Sequence, residues 1–237
     1  MAPKEDNMKL LVTDYDGTMY YEKQDLKTLR ENIEALKQFI KHNMVVIATG
    51  RPYTSIKKEI DTYSIPYNYI ISSNGACIFN QNNSPIYTQT IKEEIIKKTL
   101  EYLQKLPYIS KIKLIDIYGN EANKLENVIQ IYIKIKIVNI FELKRIKQEL
   151  EFLDNNQFFN MCYFFNQTDK TDGIKIIQEI HGIDNKDIYT IGNDTNDLLM
   201  LKEYNGYRVP YSYPRIVLER LPKTSVKKLV QKIEGEL

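Results

Sequence analysis

The chain has 237 residues, with 33 Lys and Arg against 31 Asp and Glu and a formal net charge of +2. That length suits one large or two modest domains with a sizeable core, and the charge balance excludes a strong polyanion binder: lysines interleave with glutamates as on solvated helix faces, so no nucleic-acid partner is expected. The polar stretch 1–7 lacks the apolar run of a signal peptide and no segment reaches the ~20 apolar residues of a membrane helix, which predicts a cytoplasmic protein without a membrane partner, its fold starting near Met8.

The first part reads β-α-β-α-β. Lys9–Thr13 is a short apolar run ending at Asp14, as in a buried strand. Leu26, Leu29, Ile33, Leu36, Phe39 and Ile40 recur at helical spacing over residues 25–42, with Asp25 as N-cap. Val45–Ala48 is a second strand, Pro52 opens a helix to about Tyr63, and Tyr69–Ser72 is a third strand. This alternation implies a mostly parallel sheet.

After Gly75 the pattern changes. Cys77–Phe79 and Ile86–Thr90 flank a turn-rich Asn80–Pro85, as in a hairpin, and a helix follows over Lys92–Lys105. Ile129, Ile131, Ile133, Ile135 and Ile137 alternate with Gln130, Tyr132, Lys134 and Lys136, a strand with one apolar and one wet face. Lys111–Tyr118 and Gln157–Phe165 are its expected partners, with a helix over Phe141–Leu153 between them. The α/β alternation then resumes: helix Asp172–Ile180, strand Ile188–Gly192, helix Asn196–Glu203, strand Tyr207–Val209, and a helical tail from Ser225. The predicted fold class is α/β, a Rossmann-like parallel-sheet core of residues 1–76 and 168–237 interrupted by an inserted α+β cap, residues 77–167, with an antiparallel sheet. The two crossovers, near Gly75–Cys77 and Asn166–Asp169, are expected hinges for cap closure.

Some chemistry is excluded early. Cys77 and Cys162 are far apart without metal-ligand spacing and read as small apolar side chains. His42 and His181 fall near predicted helix ends, which leaves no material for a histidine metal site or a serine-type triad.

Four polar clusters remain, three of them at the carboxyl ends of predicted core strands, where open α/β sheets bind ligands. Asp14-Tyr15-Asp16-Gly17-Thr18 brings two carboxylates into one turn, suited to a hard cation, and a carboxylate can attack phosphorus. Thr49-Gly50-Arg51 offers a hydroxyl and a backbone amide for a phosphoryl oxygen. Lys170 precedes a helix and can neutralise carboxylate and phosphate together. Gly192-Asn193-Asp194-Thr195-Asn196-Asp197 is rich in oxygen ligands. Each alone also reads as an ordinary turn, helix cap or surface lysine; in this order and context they reinforce one another.

In that order the clusters resemble the motifs of the haloacid dehalogenase-like phosphatases, within them the Cof-type sugar-phosphatase group. Residues 14–18 match the first motif D-x-D-G-T, Thr49 the second, Lys170 the third, and residues 192–197 the fourth, G-D-x-x-N-D. Ser73-Asn74-Gly75-Ala76 resembles the segment leading into that group's cap. The resemblance covers essentially the whole chain. It implies a Mg²⁺-dependent phosphatase acting on a small phosphorylated metabolite, with Asp14 as nucleophile and Asp16 as general acid and base, its pKa raised by nearby negative charge. It implies Mg²⁺ on Asp14, the Asp16 carbonyl and the loop of Asn193, Asp194 and Asp197, with Asp197 also paired to Lys170. Thr49 and Lys170 take phosphoryl oxygens, and Thr18, Gly50, Arg51, Asn74 and Asn196 are candidates to bind substrate.

The match departs from the pattern in three places. Asn193 stands where the family usually has Asp, which removes one ligand charge, and Asp194 is then a substitute ligand. Thr171 replaces the usual Gly after the motif lysine, with Gly173 two positions on. Val209-Pro210-Tyr211-Ser212-Tyr213-Pro214 replaces the usual small-residue segment. Two other readings stand beside the phosphatase: a phosphomutase of the same superfamily, and a non-catalytic module binding phosphate ligands. Oligomeric state is not legible.

Overall fold

The computed structural model describes residues 8–21, 26–136, 157–159, 162–212 and 218–235, together with Phe141, Arg145 and Gln148. The expected N-cap at Asp25, the stretch 1–7, Ile137, most of the helix over Phe141–Leu153, the Cys162 side chain and Tyr213-Pro214 lie outside the described residues.

Among the described residues the strands form two sheets. The larger runs β11-β10-β1-β2-β3-β4-β5, from β1 (Leu10–Asp14), β2 (Met44–Ala48), β3 (Tyr69–Ser72), β4 (Cys77–Asn80), β5 (Pro85–Thr88), β10 (Ile188–Gly192) and β11 (Asn205–Arg208). β11, β10, β1, β2 and β3 pair in parallel, and β3, β4 and β5 antiparallel. β1 and β2 are buried at every position, which is why they read as unbroken apolar runs rather than alternations.

Period two splits their side chains between two layers. Leu11, Val45, Ile47 and Ile70 pack against α1 (Leu26–Phe39), α2 (Tyr53–Tyr63) and the tail helix, Val226–Ile233. Leu10, Val12, Met44, Val46 and Ile71 pack on the other face against α4 (Lys170–His181) and α5 (Leu198–Glu203). The tail helix is α6; it starts at Ser225, whose hydroxyl accepts from the Lys228 amide at 3.3 Å. On α1, Leu29, Ile33 and Leu36 are the buried stripe that the helical spacing predicts, each contributing about 1.5–3 kcal/mol on burial.

The second sheet, β6-β7-β9-β8, is antiparallel and comprises β6 (Ile109–Ile115), β7 (Gln130–Ile135), β8 (Gln157–Phe159) and β9 (Cys162–Phe165). Its apolar face, Ile131, Ile133 and Ile135, packs with Ile96 and Leu103 of α3 (Glu93–Leu103), while Lys134 is exposed.

The structure corrects the expected cap at its start. The hairpin from Cys77 to Thr88 does not join the insert's sheet. It hydrogen-bonds to β3, Ser72 opposite Cys77, and extends the core sheet as its edge. The expected hinge is also braced. Asn166 Nδ2 donates to the Ser73 carbonyl at 2.6 Å and Thr168 Oγ1 to the Asn74 carbonyl at 3.1 Å. Gly75, at φ +98°, approaches so closely that a Cβ there would lie 1.8 Å from the Asp169 carbonyl oxygen, a place only glycine fills. Ile129 of the insert is fully buried in the core cluster with Ile117 packed against it, and Thr54 Oγ1 donates to the Tyr118 carbonyl at 2.6 Å.

Candidate active site

The parallel register brings the predicted clusters to one edge. Asp14 pairs with Ala48, Thr13 with Ile191 and Ala48 with Ile71. The chain therefore leaves β1, β2, β3 and β10 side by side, presenting Asp14, Thr49, Asn74 and Asn193. Loops after β2 and β3 are tied together, Asn74 N donating to the Thr49 carbonyl at 3.0 Å and Ser73 N to the Arg51 carbonyl at 2.9 Å. Gly50 lies within that braced turn, and Thr49 Oγ1, buried, accepts from the Arg51 amide at 3.1 Å.

Lys170 is the buried centre. Its Nζ donates to Asp14 Oδ1 at 2.7 Å and to Asp197 Oδ1 at 2.6 Å. Burial alone would lower its pKa, but the two carboxylates raise it above the ordinary lysine value, so the ammonium stays charged. For Asp14, burial first and then Asp197 push the carboxyl up to about 7, against the lowering effect of Lys170. Lys170 is set at the start of α4 by Asp169, whose carboxylate accepts from Thr171 N while Asp172 reciprocates on the Asp169 amide, a capping box. This cap starts the helix two residues before the expected Asp172. Gly173 explains the displaced glycine: a Cβ there would sit 2.7 Å from Ile71 Cγ2, so close packing of α4 on β3 takes place at 173 and leaves room for Thr171.

Arg51 is a second, half-exposed centre. Its Nε and Nη2 grip both Asp16 oxygens at 2.7 and 2.6 Å, and Nη1 reaches Glu59 Oε1 at 3.4 Å. Tyr15 lies below, its ring centroid 5.3 Å from the guanidinium carbon and its hydroxyl donating to Glu59 Oε2 at 3.1 Å. The expected surrounding of Asp16 by negative charge is thus not what is found: the adjoining loop delivers a guanidinium to it. Arg51, expected at the substrate, is engaged by Asp16 and Glu59. Sequence reading missed Glu59 and Tyr15; the available signals were an acid on the helix opened by Arg51-Pro52 and a bulky phenol between the two aspartates.

The acidic loop divides its labour. Asp197 Oδ2 accepts from Asn193 N at 2.8 Å and Asp194 N at 3.0 Å, so its carboxylate holds the loop and Lys170 together. Asp194, expected as a substitute ligand, is turned to Thr195, whose amide and hydroxyl donate to its Oδ1 at 2.6 and 3.2 Å; it caps the following turn. Asn193 reaches the first loop. Its side-chain oxygen accepts from Thr18 Oγ1 at 3.1 Å, and that end of the amide lies 3.0 Å from Asp14 Oδ2 and 2.9 Å from the Asp16 carbonyl. Asn196 Nδ2 donates to Asn74 Oδ1 at 3.2 Å, and the buried Asn74 Nδ2 has no protein partner. The site therefore gathers four carboxylates around two cations and holds an unpaired amide donor; among the described residues no three acidic, histidine or cysteine side chains are grouped as ligands of one metal ion.

Comparison with known proteins follows this geometry. A family model described as haloacid dehalogenase-like hydrolase matches residues 11–168. A protein of Buchnera aphidicola subsp. Schizaphis graminum, provisionally named a phosphatase, is 27% identical over 81% of this chain and 80% of its own length. A phosphatase of the haloalkanoate (HAD) enzyme superfamily from Bacteroides thetaiotaomicron superposes with a TM-score of 0.79 at 20% identity, covering 99% of this chain and 97% of that one. A HAD subclass IIB sugar phosphatase does so with a TM-score of 0.75 at 20% identity, covering 97% and 100%. At such identities these structures establish the fold.

Proposed function

The chain belongs to the haloacid dehalogenase-like hydrolase family, and from that premise we propose that it is a Mg²⁺-dependent phosphatase that works through an aspartyl phosphate on Asp14. The observation that carries the reading is the Asp14 carboxylate: buried at the end of a central strand, one oxygen on Lys170 at 2.7 Å and the other turned to the point it shares with the Asp16 carbonyl.

In this reading an Asp14 oxygen attacks phosphorus, the bond to the leaving alcohol breaks, and Asp16 gives that alcohol its proton. Water then attacks the phosphoryl group, Asp16 takes its proton, and the bond to Asp14 breaks, releasing inorganic phosphate. Lys170 and Thr49 bind phosphoryl oxygens as charge shifts. Asn74 Nδ2, buried without a partner, supports a role for that residue in binding substrate oxygens. For the catalytic steps Asp16 must exchange its bidentate contact with Arg51 for the leaving group. Asp14 Oδ2 and the Asp16 carbonyl converge on one point and are hard oxygens, so they fit Mg²⁺; when bound, the ion offsets repulsion between carboxylate and phosphate and orients the ester.

The substrate class is a small phosphorylated metabolite, in a cytoplasmic setting; the structural likeness to a sugar phosphatase supports a sugar phosphate. The residues after the edge hairpin, 89–167, serve as the cap over the core and supply specificity. The test is hydrolysis of p-nitrophenyl phosphate with release of inorganic phosphate. EDTA and Asp14→Asn are each expected to abolish it. Full activity in either condition overturns the mechanism, and an isomeric sugar phosphate in place of inorganic phosphate identifies a mutase.

A further inference from the structure

Gln130 opens β7 and is fully buried, yet neither end of its amide has a hydrogen-bond partner among the described residues. Buried amides are paired with few exceptions, because an orphaned donor or acceptor is costly to keep. Both ends are bare, so the orientation of the amide does not affect this. Strand alternation says where it points. Ile131, Ile133 and Ile135 turn to α3, so Gln130 turns to the opposite face of the insert's sheet, across from Ile115 of β6. That end of the sheet meets the core. Ile131 pairs with Phe165, so one step further along the ladder Asn166 falls opposite Gln130. Asn166 Oδ1 is a second buried atom without a partner among the described residues, while its Nδ2 holds the Ser73 carbonyl at 2.6 Å. Asn74, next in that turn and tied through its backbone amide to the Thr49 carbonyl, carries a third such atom, Nδ2.

We propose that Gln130, with Asn166 and Asn74 beside it, binds hydroxyl groups on the leaving group of the substrate and so selects polyhydroxylated phosphate esters over plain alkyl ones. The chemistry of the open groups sets this class. They comprise a donor and an acceptor on Gln130, an acceptor on Asn166 and a donor on Asn74, and none carries charge. Open acceptors repel an anion, whereas a hydroxyl gives one hydrogen bond and takes others. This subsite rests on the phosphatase reading, in which the phosphoryl group is seated at Asp14 under the insert. Two properties follow. In the free protein the amide lowers stability, because its polar ends are buried unpaired. With a polyol ester in place the same ends discriminate, because an ester lacking hydroxyls leaves them unpaired.

Melting temperature and steady-state kinetics test both. The esters are sorbitol 6-phosphate, n-hexyl phosphate, which has the same carbon chain without hydroxyls, and p-nitrophenyl phosphate. Wild type is expected to favour sorbitol 6-phosphate over n-hexyl phosphate by about a hundredfold or more in kcat/KM. Gln130→Met keeps the length of the side chain and removes both polar ends. It is expected to melt about 2–4 °C higher than wild type without substrate. It is also expected to lose about tenfold or more in kcat/KM on sorbitol 6-phosphate, chiefly through KM, and to stay within about twofold of wild type on the other two esters. Gln130→Leu, of different shape, is expected to lose the same preference, so that a misfit of one side chain does not decide the result. A Gln130→Met melting temperature at or below wild type means that the amide has a structural partner such as a buried water, and overturns the subsite. So does an unchanged preference between the sorbitol and hexyl esters in both variants. If wild type hydrolyses none of the esters, the phosphatase reading falls and the subsite with it. If wild type hydrolyses p-nitrophenyl phosphate but treats the sorbitol and hexyl esters alike, the subsite alone falls.

Discussion

Lys170 and Arg51 each sit between two carboxylates, but in different surroundings. The Lys170 side chain is 1% exposed, with Asp14 at 6% and Asp197 at 0%. Arg51 is 29% exposed, Asp16 48% and Glu59 30%. The same pattern of charge therefore has different physical worth. Exposed pairs are screened and contribute from nothing to about 1 kcal/mol, whereas removing one member of a buried set strands charges that water cannot reach. The buried triad can hold a nucleophile in place. The exposed one is cheap enough to open, as Asp16 requires if it is to meet a leaving group.

The largest expected effect breaks the buried member. Lys170→Met leaves Asp14 and Asp197 facing each other without a cation, and unfolding stability in urea near neutral pH is expected to fall by about 3–5 kcal/mol, with turnover lost. A loss no larger than that of an exposed pair would erase the distinction between the two centres.

A second effect, smaller and dependent on pH, sharpens the comparison because it arises only in the buried set. Burial, reinforced by Asp197, holds the folded Asp14 carboxyl at about 7 against 3.8 for an ordinary one. Between those values the folded protein binds a proton that the unfolded chain does not, so stability falls as pH rises through that window. Lys170, raised above its usual value, stays charged throughout and adds no slope there. Metal-free wild type is therefore expected to lose more Tm than Asp14→Asn between about pH 5 and pH 8, and saturating Mg²⁺ is expected to remove the difference, since a cation favours the ionised form. Parallel profiles for the two proteins would contradict this.

The contrast also marks what sequence could convey. Asp14, Lys170 and Asp197 were legible because their motifs follow strand ends and helix starts, and strand order then carries them to one edge. The central strands were legible as fully buried runs. The hairpin from Cys77 to Thr88 was not: its turn residues announce a hairpin, but nothing local says whether it pairs with β3 or with the insert's sheet, and β5 is mostly exposed. The Arg51 set was legible only in part. Glu59 and Tyr15 meet Arg51 through the packing of α2 beside β1, a contact between side chains 44 residues apart that no spacing rule encodes. That the Asp194 carboxylate turns to Thr195 was not legible either, because composition counts oxygens and does not see which way they turn.

The smallest expected effect concerns the exposed centre. Glu59 touches neither Asp14 nor Lys170 in any bond described above, so its influence on chemistry runs through Arg51 and Asp16. Glu59→Gln keeps the size of the side chain and removes its charge. Given 3.4 Å and partial exposure, stability is expected to change by less than ~1 kcal/mol. Arg51, left with Asp16 as its one anionic partner, then grips Asp16 more firmly, and kcat is expected to fall a few-fold with KM unchanged. The fall should be larger for alkyl phosphates than for p-nitrophenyl phosphate, whose leaving group needs little protonation. Tyr15→Phe removes only the hydroxyl bond to Glu59, worth about 1 kcal/mol, and is expected to shift the same ratio less and in the opposite direction, because a freer Glu59 competes better for the guanidinium. Equal losses on both substrates in both variants would make this cluster a structural prop, and the freedom to open attributed to the exposed centre would have no part in turnover.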